Sequence, residues 1–174
     1  MRTALISMLL AGALAAPALA QQGVDTFEGS IVGAKGQPIG KVAIRSGENA
    51  TLLRITINAG SGLTPGWHGA HFHQVGDCSD PGQYQRSKGH VNHENAKHGL
   101  LNPDGPDEGD LPNLFANADG SVNAEISSEG IVLSGDQGLK DADGSALVIH
   151  ANEDDHTTQP IGNAGARVAC AVIK

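Results

Sequence analysis

The run Thr51-Leu-Leu-Arg-Ile-Thr-Ile57 sets Leu53, Ile55 and Ile57 against Arg54 and Thr56. Apolar residues at every second position suit a strand with one face buried and one face in water. Short runs of the same kind are predicted near residues 26–32, 41–45, 70–75, 121–126, 130–133, 146–150 and 167–173. Turn signals separate them, among them Gly33-Ala-Lys-Gly36, Asn58-Ala-Gly60, Asn117-Ala-Asp-Gly120 and Asp141-Ala-Asp-Gly144. With 24 glycines in 174 residues, the chain favours tight turns over long helices. About eight short strands at this spacing predict an all-β sandwich or barrel with Greek-key connections. Residues 77–112 and 151–166 break the rhythm, and unpatterned loops longer than about 12–15 residues are expected to be functional or disordered. Here both are read as functional.

Residues 1–20 carry Arg2, a small apolar stretch from Ala4 to Ala15, and Ala18-Leu19-Ala20 before Gln21. That is the pattern of a cleaved secretory signal peptide, which leaves residues 21–174 as a single domain. No other stretch is long and apolar enough to span a bilayer, so no membrane association is expected after cleavage. Without Arg2, ten basic residues face nineteen acidic ones, a formal charge of −9. Nucleic acid is an unsuitable partner, because binding it needs a basic face. The two cysteines, Cys78 and Cys170, favour a disulfide in an exported chain, and no C-x-x-C redox motif is present.

Gly69-Ala-His-Phe-His-Gln-Val-Gly-Asp-Cys78 places His71 and His73 two residues apart. On a strand both imidazoles share one face, roughly 7 Å apart along the chain. With His90 and His150 they make a four-imidazole set, which suits Cu(II) in a tetragonal nitrogen site. His98, Asp107 and Asp110 make a second set of mixed imidazole and carboxylate donors, which zinc accepts. His90 lies between the two sets and can serve both if its second ring proton is lost, because bound cations favour that deprotonation.

The motifs Trp67-His-Gly-Ala-His-Phe-His-Gln-Val-Gly-Asp-Cys78, Gly89-His-Val-Asn92, Lys97-His-Gly99, Gly109-Asp-Leu-Pro-Asn113 and Gly162-Asn-Ala-Gly-Ala-Arg-Val-Ala-Cys170 follow in this order. Through them residues 24–174 resemble the bacterial, exported copper–zinc superoxide dismutases. The resemblance implies an eight-stranded Greek-key flattened barrel, grouped with immunoglobulin-like sandwiches. It implies copper on His71, His73, His90 and His150, zinc on His90, His98, position 107 and Asp110, and a Cys78–Cys170 disulfide. Arg167 matches the arginine that orients the superoxide anion, and Asp154 the carboxylate that links a copper-ligand to a zinc-ligand histidine. One departure stands out. The family usually has histidine where this chain has Asp107, which is open to two readings, zinc ligand or surface acid; Glu108 and His93 are the substitutes nearby.

The implied activity is conversion of superoxide to dioxygen and hydrogen peroxide by Cu(II)/Cu(I) cycling, with His90 and Arg167 as the catalytic residues. The alternative is a non-catalytic exported copper-binding or copper-delivery protein on the same fold. Periplasmic localisation follows from the signal pattern, full secretion being the other outcome, and a homodimer is compatible with the family. His68 is expected to brace loops, and His93 and His156 to face solvent. Residues 151–166 contain no Lys or Arg, which predicts weak electrostatic guidance of an anion.

Overall fold

A computed structural model describes residues 23–174; the expected signal segment, residues 1–20, lies outside them. The described residues form nine strands: β1 (Asp25–Gly33), β2 (Pro38–Ser46), β3 (Thr51–Ile57), β4 (Gly66–His68), β5 (Ala70–His73), β6 (Leu114–Ala116), β7 (Val122–Ser128), β8 (Ser145–His150) and β9 (Arg167–Ile173). Among the described residues there is no α-helix, only a single 3₁₀ turn at Gln85–Ser87.

Seven strands form one antiparallel sheet in the order β5-β8-β9-β1-β2-β3-β7. β4 pairs with β6, which packs against β7, so the short pair joins the two edges of the sheet and closes a curled barrel. β4 and β5 are one run interrupted at Gly69, and counted that way the barrel has its eight strands. The interior is filled from alternate positions. In β3, Leu53, Ile55 and Ile57 are buried while Leu52 and Arg54 face water. Burying side chains of this size contributes about 1.5–3 kcal/mol each.

Residues 130–133, predicted as a strand, are not one. Ile131 and Leu133 are buried and Val132 is exposed, so the alternation is genuine. The ladder is not, because hydroxyls substitute for a partner strand: Thr51 Oγ1 donates to Ile131 O, and Leu133 N–H donates to Ser46 Oγ. The strands at 66–68 and 114–116 were not predicted.

β5 is buried on both faces. Ala70 and Phe72 enter the barrel core, whereas His71 and His73 point outward beneath the long loops. A small second core lies on that outer side, made of Tyr84, Ala146, Val148 and Cys170. The Cys78–Cys170 disulfide, with Cα atoms 5.9 Å apart, pins the first long loop to β9 there. A closed loop of that size, about 100 residues, contributes roughly 4–5 kcal/mol in the chain-entropy model.

Candidate metal centre

The free edge of β5 organises the site. Gly89 O accepts from Gln74 N–H, Phe72 O from Val91 N–H, Gly109 O from Phe72 N–H, and Val91 O from Gly109 N–H. Two segments of the 77–112 loop thus dock on the strand as a strand would, bringing His90 opposite His73 and Asp110 opposite His71. Gly109 permits this approach, since a Cβ there would collide with the Phe72 carbonyl and with Cβ of His90. From the other side, β8 runs beside β5 and ends in His150, whose neighbour across β9 is Arg167.

Each outward imidazole is oriented through one ring nitrogen. His71 Nε2 donates to Asp154 Oδ2 (2.7 Å), His73 Nδ1 to Lys88 O (2.8 Å) and His150 Nδ1 to Gly165 O (3.0 Å). These bonds fix the tautomers and leave the other nitrogen of each ring as a bare lone pair. His71 Nδ1, His73 Nε2, His90 Nε2 and His150 Nε2 are all buried without a hydrogen-bond partner. Donor atoms of His71, His73 and His150 lie within 4.8 Å of one another, and the His90 ring sits 4.2 Å from that of His71 and 5.2 Å from that of His73. Buried polar atoms without partners are rare and call for an explanation. Four converging imidazole nitrogens fit copper.

Beyond His90 the chemistry changes. His90 Nδ1 lies 2.9 Å from Asp107 Oδ2 and 3.6 Å from Asp110 Oδ1, and His98 Nδ1 lies 2.5 Å from Asp110 Oδ1. His90, His98, Asp107 and Asp110 each offer a donor atom within 4.8 Å of the others. Two imidazoles and two carboxylates fit zinc. Asp107 is only 5 % exposed, which excludes the surface-acid reading. Glu108 accepts from His93 N–H instead, and neither residue enters the cluster.

Asp154 joins the halves, with Oδ2 on His71 and Oδ1 3.2 Å from His98 Nε2. Asn113 holds it in place, accepting from Asp154 N–H and donating to Asp154 O. Gly162 backs the carboxylate at φ +58°, where a Cβ would overlap it. The His68 ring lies between two backbone carbonyls, Nδ1 2.7 Å from His150 O and Nε2 2.8 Å from Thr64 O, bracing two segments as expected. His156 does not face solvent: its ring is partly buried, and its Nε2 accepts from Asn113. Residue spacing carried no signal for Asn113 or His156, because both act across a loop-to-loop contact.

The two halves differ electrostatically. Burial drives His73 well below the usual histidine range and His71 below it; burial and the neighbouring His71 charge take His150 down to about 3. Burial opposes protonation of His98 too. There the hydrogen bonds and charges of Asp110 and Asp154 prevail, and its pKa is pushed up to about 10. Asp110 and Asp154 are correspondingly held below the usual carboxylate range.

Arg167 lies between the outer core and the histidines, donating from one guanidinium nitrogen to Tyr84 O (2.7 Å) and Ser87 Oγ (3.1 Å). It lines an open recess of about 400 Å³ with Gln74, His90, His98, Asp107 and Gln159.

Residues 39–173 match the family described as copper/zinc superoxide dismutase. The chain is 54% identical over 144 residues to a copper–zinc superoxide dismutase of Caulobacter vibrioides, covering 80% of each chain. It is 39% identical to one of two from Aquifex aeolicus, covering 83% of this chain and 85% of that one. Among solved structures, a superoxide dismutase-like protein of Bacillus subtilis superposes with a TM-score of 0.78 at 34% identity, covering 84% of this chain and 97% of that one. The copper/zinc enzyme of Brucella abortus superposes with a TM-score of 0.68 at 28% identity, covering 86% and 100%. The chain belongs to the copper/zinc superoxide dismutase family, and with it to the enzymes that use copper and zinc to act on superoxide.

Proposed function

We propose that His71 Nδ1 and the Nε2 atoms of His73, His90 and His150 hold copper, and that His90 Nδ1, His98 Nδ1, Asp107 and Asp110 hold zinc. What carries this reading is the set of four buried, unpartnered ring nitrogens, each left bare by a hydrogen bond or docking contact on the opposite side of its ring.

Copper, when bound, supplies one-electron chemistry: one superoxide yields its electron and leaves as dioxygen, and a second takes that electron with two protons and leaves as hydrogen peroxide. Arg167 gives the anion a permanent, planar positive partner beside His73 and His150, able to donate to both oxygens. His90 carries one of the two protons on Nε2, and solvent in the recess provides the other. Asp107 and Asp110 set the basicity of His90 from its Nδ1 side, and Asp154 keeps the His71 and His98 rings in register. Asp107 replaces an imidazole donor by a charged one without leaving the cluster.

Periplasmic residence is part of the proposal, supported by the export pattern at residues 1–20 and by a disulfide that needs an oxidising compartment. So is a homodimer, which sedimentation equilibrium tests; a monomer mass removes it. The activity is tested by pulse radiolysis of the mature, metal-loaded protein, normalised to bound copper. A rate per copper near the diffusion limit is expected, and a negligible rate with copper fully bound overturns the reading.

A further inference from the structure

The first long loop does more than supply His90. Tyr84 is fully buried, yet its backbone is left-handed, at φ 50° and ψ 28°. For a bulky residue that conformation is an outlier that the surroundings must enforce. Its hydroxyl supplies part of the enforcement, donating to Gly33 O at 2.6 Å at the end of β1. Its ring packs with Ala146, Val148 and Cys170 in the outer core. So anchored, the residue turns its carbonyl oxygen toward Arg167, which donates to it at 2.7 Å. Ser87, also fully buried, completes a ring of bonds: its Oγ donates to Tyr84 O at 2.7 Å and accepts from the same Arg167 nitrogen at 3.1 Å.

We propose that Tyr84 and Ser87 are positioning residues for Arg167, and that the Tyr84 hydroxyl, by tying the loop to β1, fixes the guanidinium in its anion-binding pose. This rests on the reading of Arg167 given above. Among the described residues no carboxylate lies within ion-pairing distance of Arg167, Asp80 acting on it only through its charge, and the two neutral oxygens are the hydrogen-bond partners of its inner nitrogen. That suits a group meant to pair with an anion: a carboxylate would hold the arginine as firmly but would compete with the substrate for its charge. It also explains why Tyr84 and Ser87 are fully buried in a turn whose intervening residues, Gln85 and Arg86, face water.

The test is azide titration of the copper-loaded, Cu(II) protein followed by visible absorption, together with the superoxide rate per copper, in Tyr84→Phe, Ser87→Ala and Arg167→Ser. Tyr84→Phe keeps the ring and removes only the hydroxyl. Losing one hydrogen bond of about 1 kcal/mol corresponds to roughly fivefold. Azide affinity and the superoxide rate are therefore each expected to fall by about that factor in Tyr84→Phe and in Ser87→Ala. The double variant should lose less than the product of the two, and the Cu(II) electron paramagnetic spectrum and copper content should be unchanged. A lower melting temperature with unaltered azide affinity makes the pair merely structural and overturns the proposal. If Arg167→Ser weakens azide while the other two do not, the brace is wrong and the role of Arg167 stands. If Arg167→Ser leaves azide binding intact, both fall. Should Tyr84→Phe fail to fold, Ser87→Ala decides alone by the same readouts.

Discussion

His90 divides two half-sites, three imidazoles on one side and one imidazole with two carboxylates on the other. Toward His71, His73 and His150 every donor is a neutral ring, and burial keeps it neutral. Toward His98, Asp107 and Asp110 two carboxylates share the space, and His98 becomes a site that prefers a cation. In the metal-free protein that cation is a proton. The difference shows that burial and charge compete at histidine: where desolvation prevails, as it does even at His71 beside Asp154, the ring is a waiting ligand, and where carboxylates prevail it is a proton store that a metal must empty.

The sharpest break in this comparison comes from removing one half alone. His150→Ala should abolish copper-dependent activity, a loss well beyond the roughly 10–100-fold that an outer partner costs, while zinc binding to the metal-free protein persists. Metal analysis beside the activity assay checks it, and joint loss of both metals would show that the halves do not fold independently. Asp154→Asn comes next, with an expected loss of about 10–100-fold in metal affinity at both halves, because its two oxygens face His71 and His98.

Protons separate the halves more gently. Near pH 7.5 zinc binding should release about one proton from His98, whereas the rings of His71, His73 and His150 have none to give. Calorimetry in two buffers of different ionisation heat measures this. Stability of the metal-free protein follows the same division. His98 is raised from 6.5 to about 10, so its contribution is complete below pH 6.5 and is lost as pH rises through 10. His150 is lowered from 6.5 to about 3, so its contribution is complete above pH 6.5 and is lost as pH falls through 3. A denaturation midpoint highest near pH 6.5 is expected, and a monotonic profile would mean that only one half governs.

Legibility in the sequence tracked how local the cause was. His71 and His73 could be read because a strand's two-residue period alone puts them on one face. β3 and β9 were predicted at their observed bounds because β3 carries a full alternating run and β9 an unbroken apolar run after Arg167. β4 and β6 escaped because each has three residues, and their exposed members, Trp67 and Phe115, are aromatic where a polar residue was expected. Residues 130–133 misled because side-chain hydroxyls can satisfy a buried segment as a strand would. Ligand order along the chain pointed to both clusters. The inward turn of Asp107, the burial of His156 and the bracing of Arg167 by Tyr84 depend on how two loops fold over β5, which spacing does not encode.

The smallest expected effect concerns what reaches the site. Residues 151–166 carry Glu153, Asp154 and Asp155 and no Lys or Arg. Asp154 is buried and committed to His71 and His98, whereas Glu153 and Asp155 are both exposed, and the backbone N–H groups of residues 157 and 158 hold Asp155 ionised, which leaves two exposed negative charges. On the other loop Arg86 is already paired with Asp77 at 2.8 Å. Long-range attraction of an anion is therefore weak, and Arg167 acts only at close quarters, within about one Debye length of 8 Å at physiological salt. The superoxide rate should fall by no more than about twofold as ionic strength rises from roughly 10 to 150 mM. A steep fall would mean that Lys88 or Lys97 steers after all. Glu153→Lys sharpens the point: it should raise the rate at low salt, lose that gain at high salt, and leave azide affinity at the site unchanged, because it alters the approach and not the pose of Arg167.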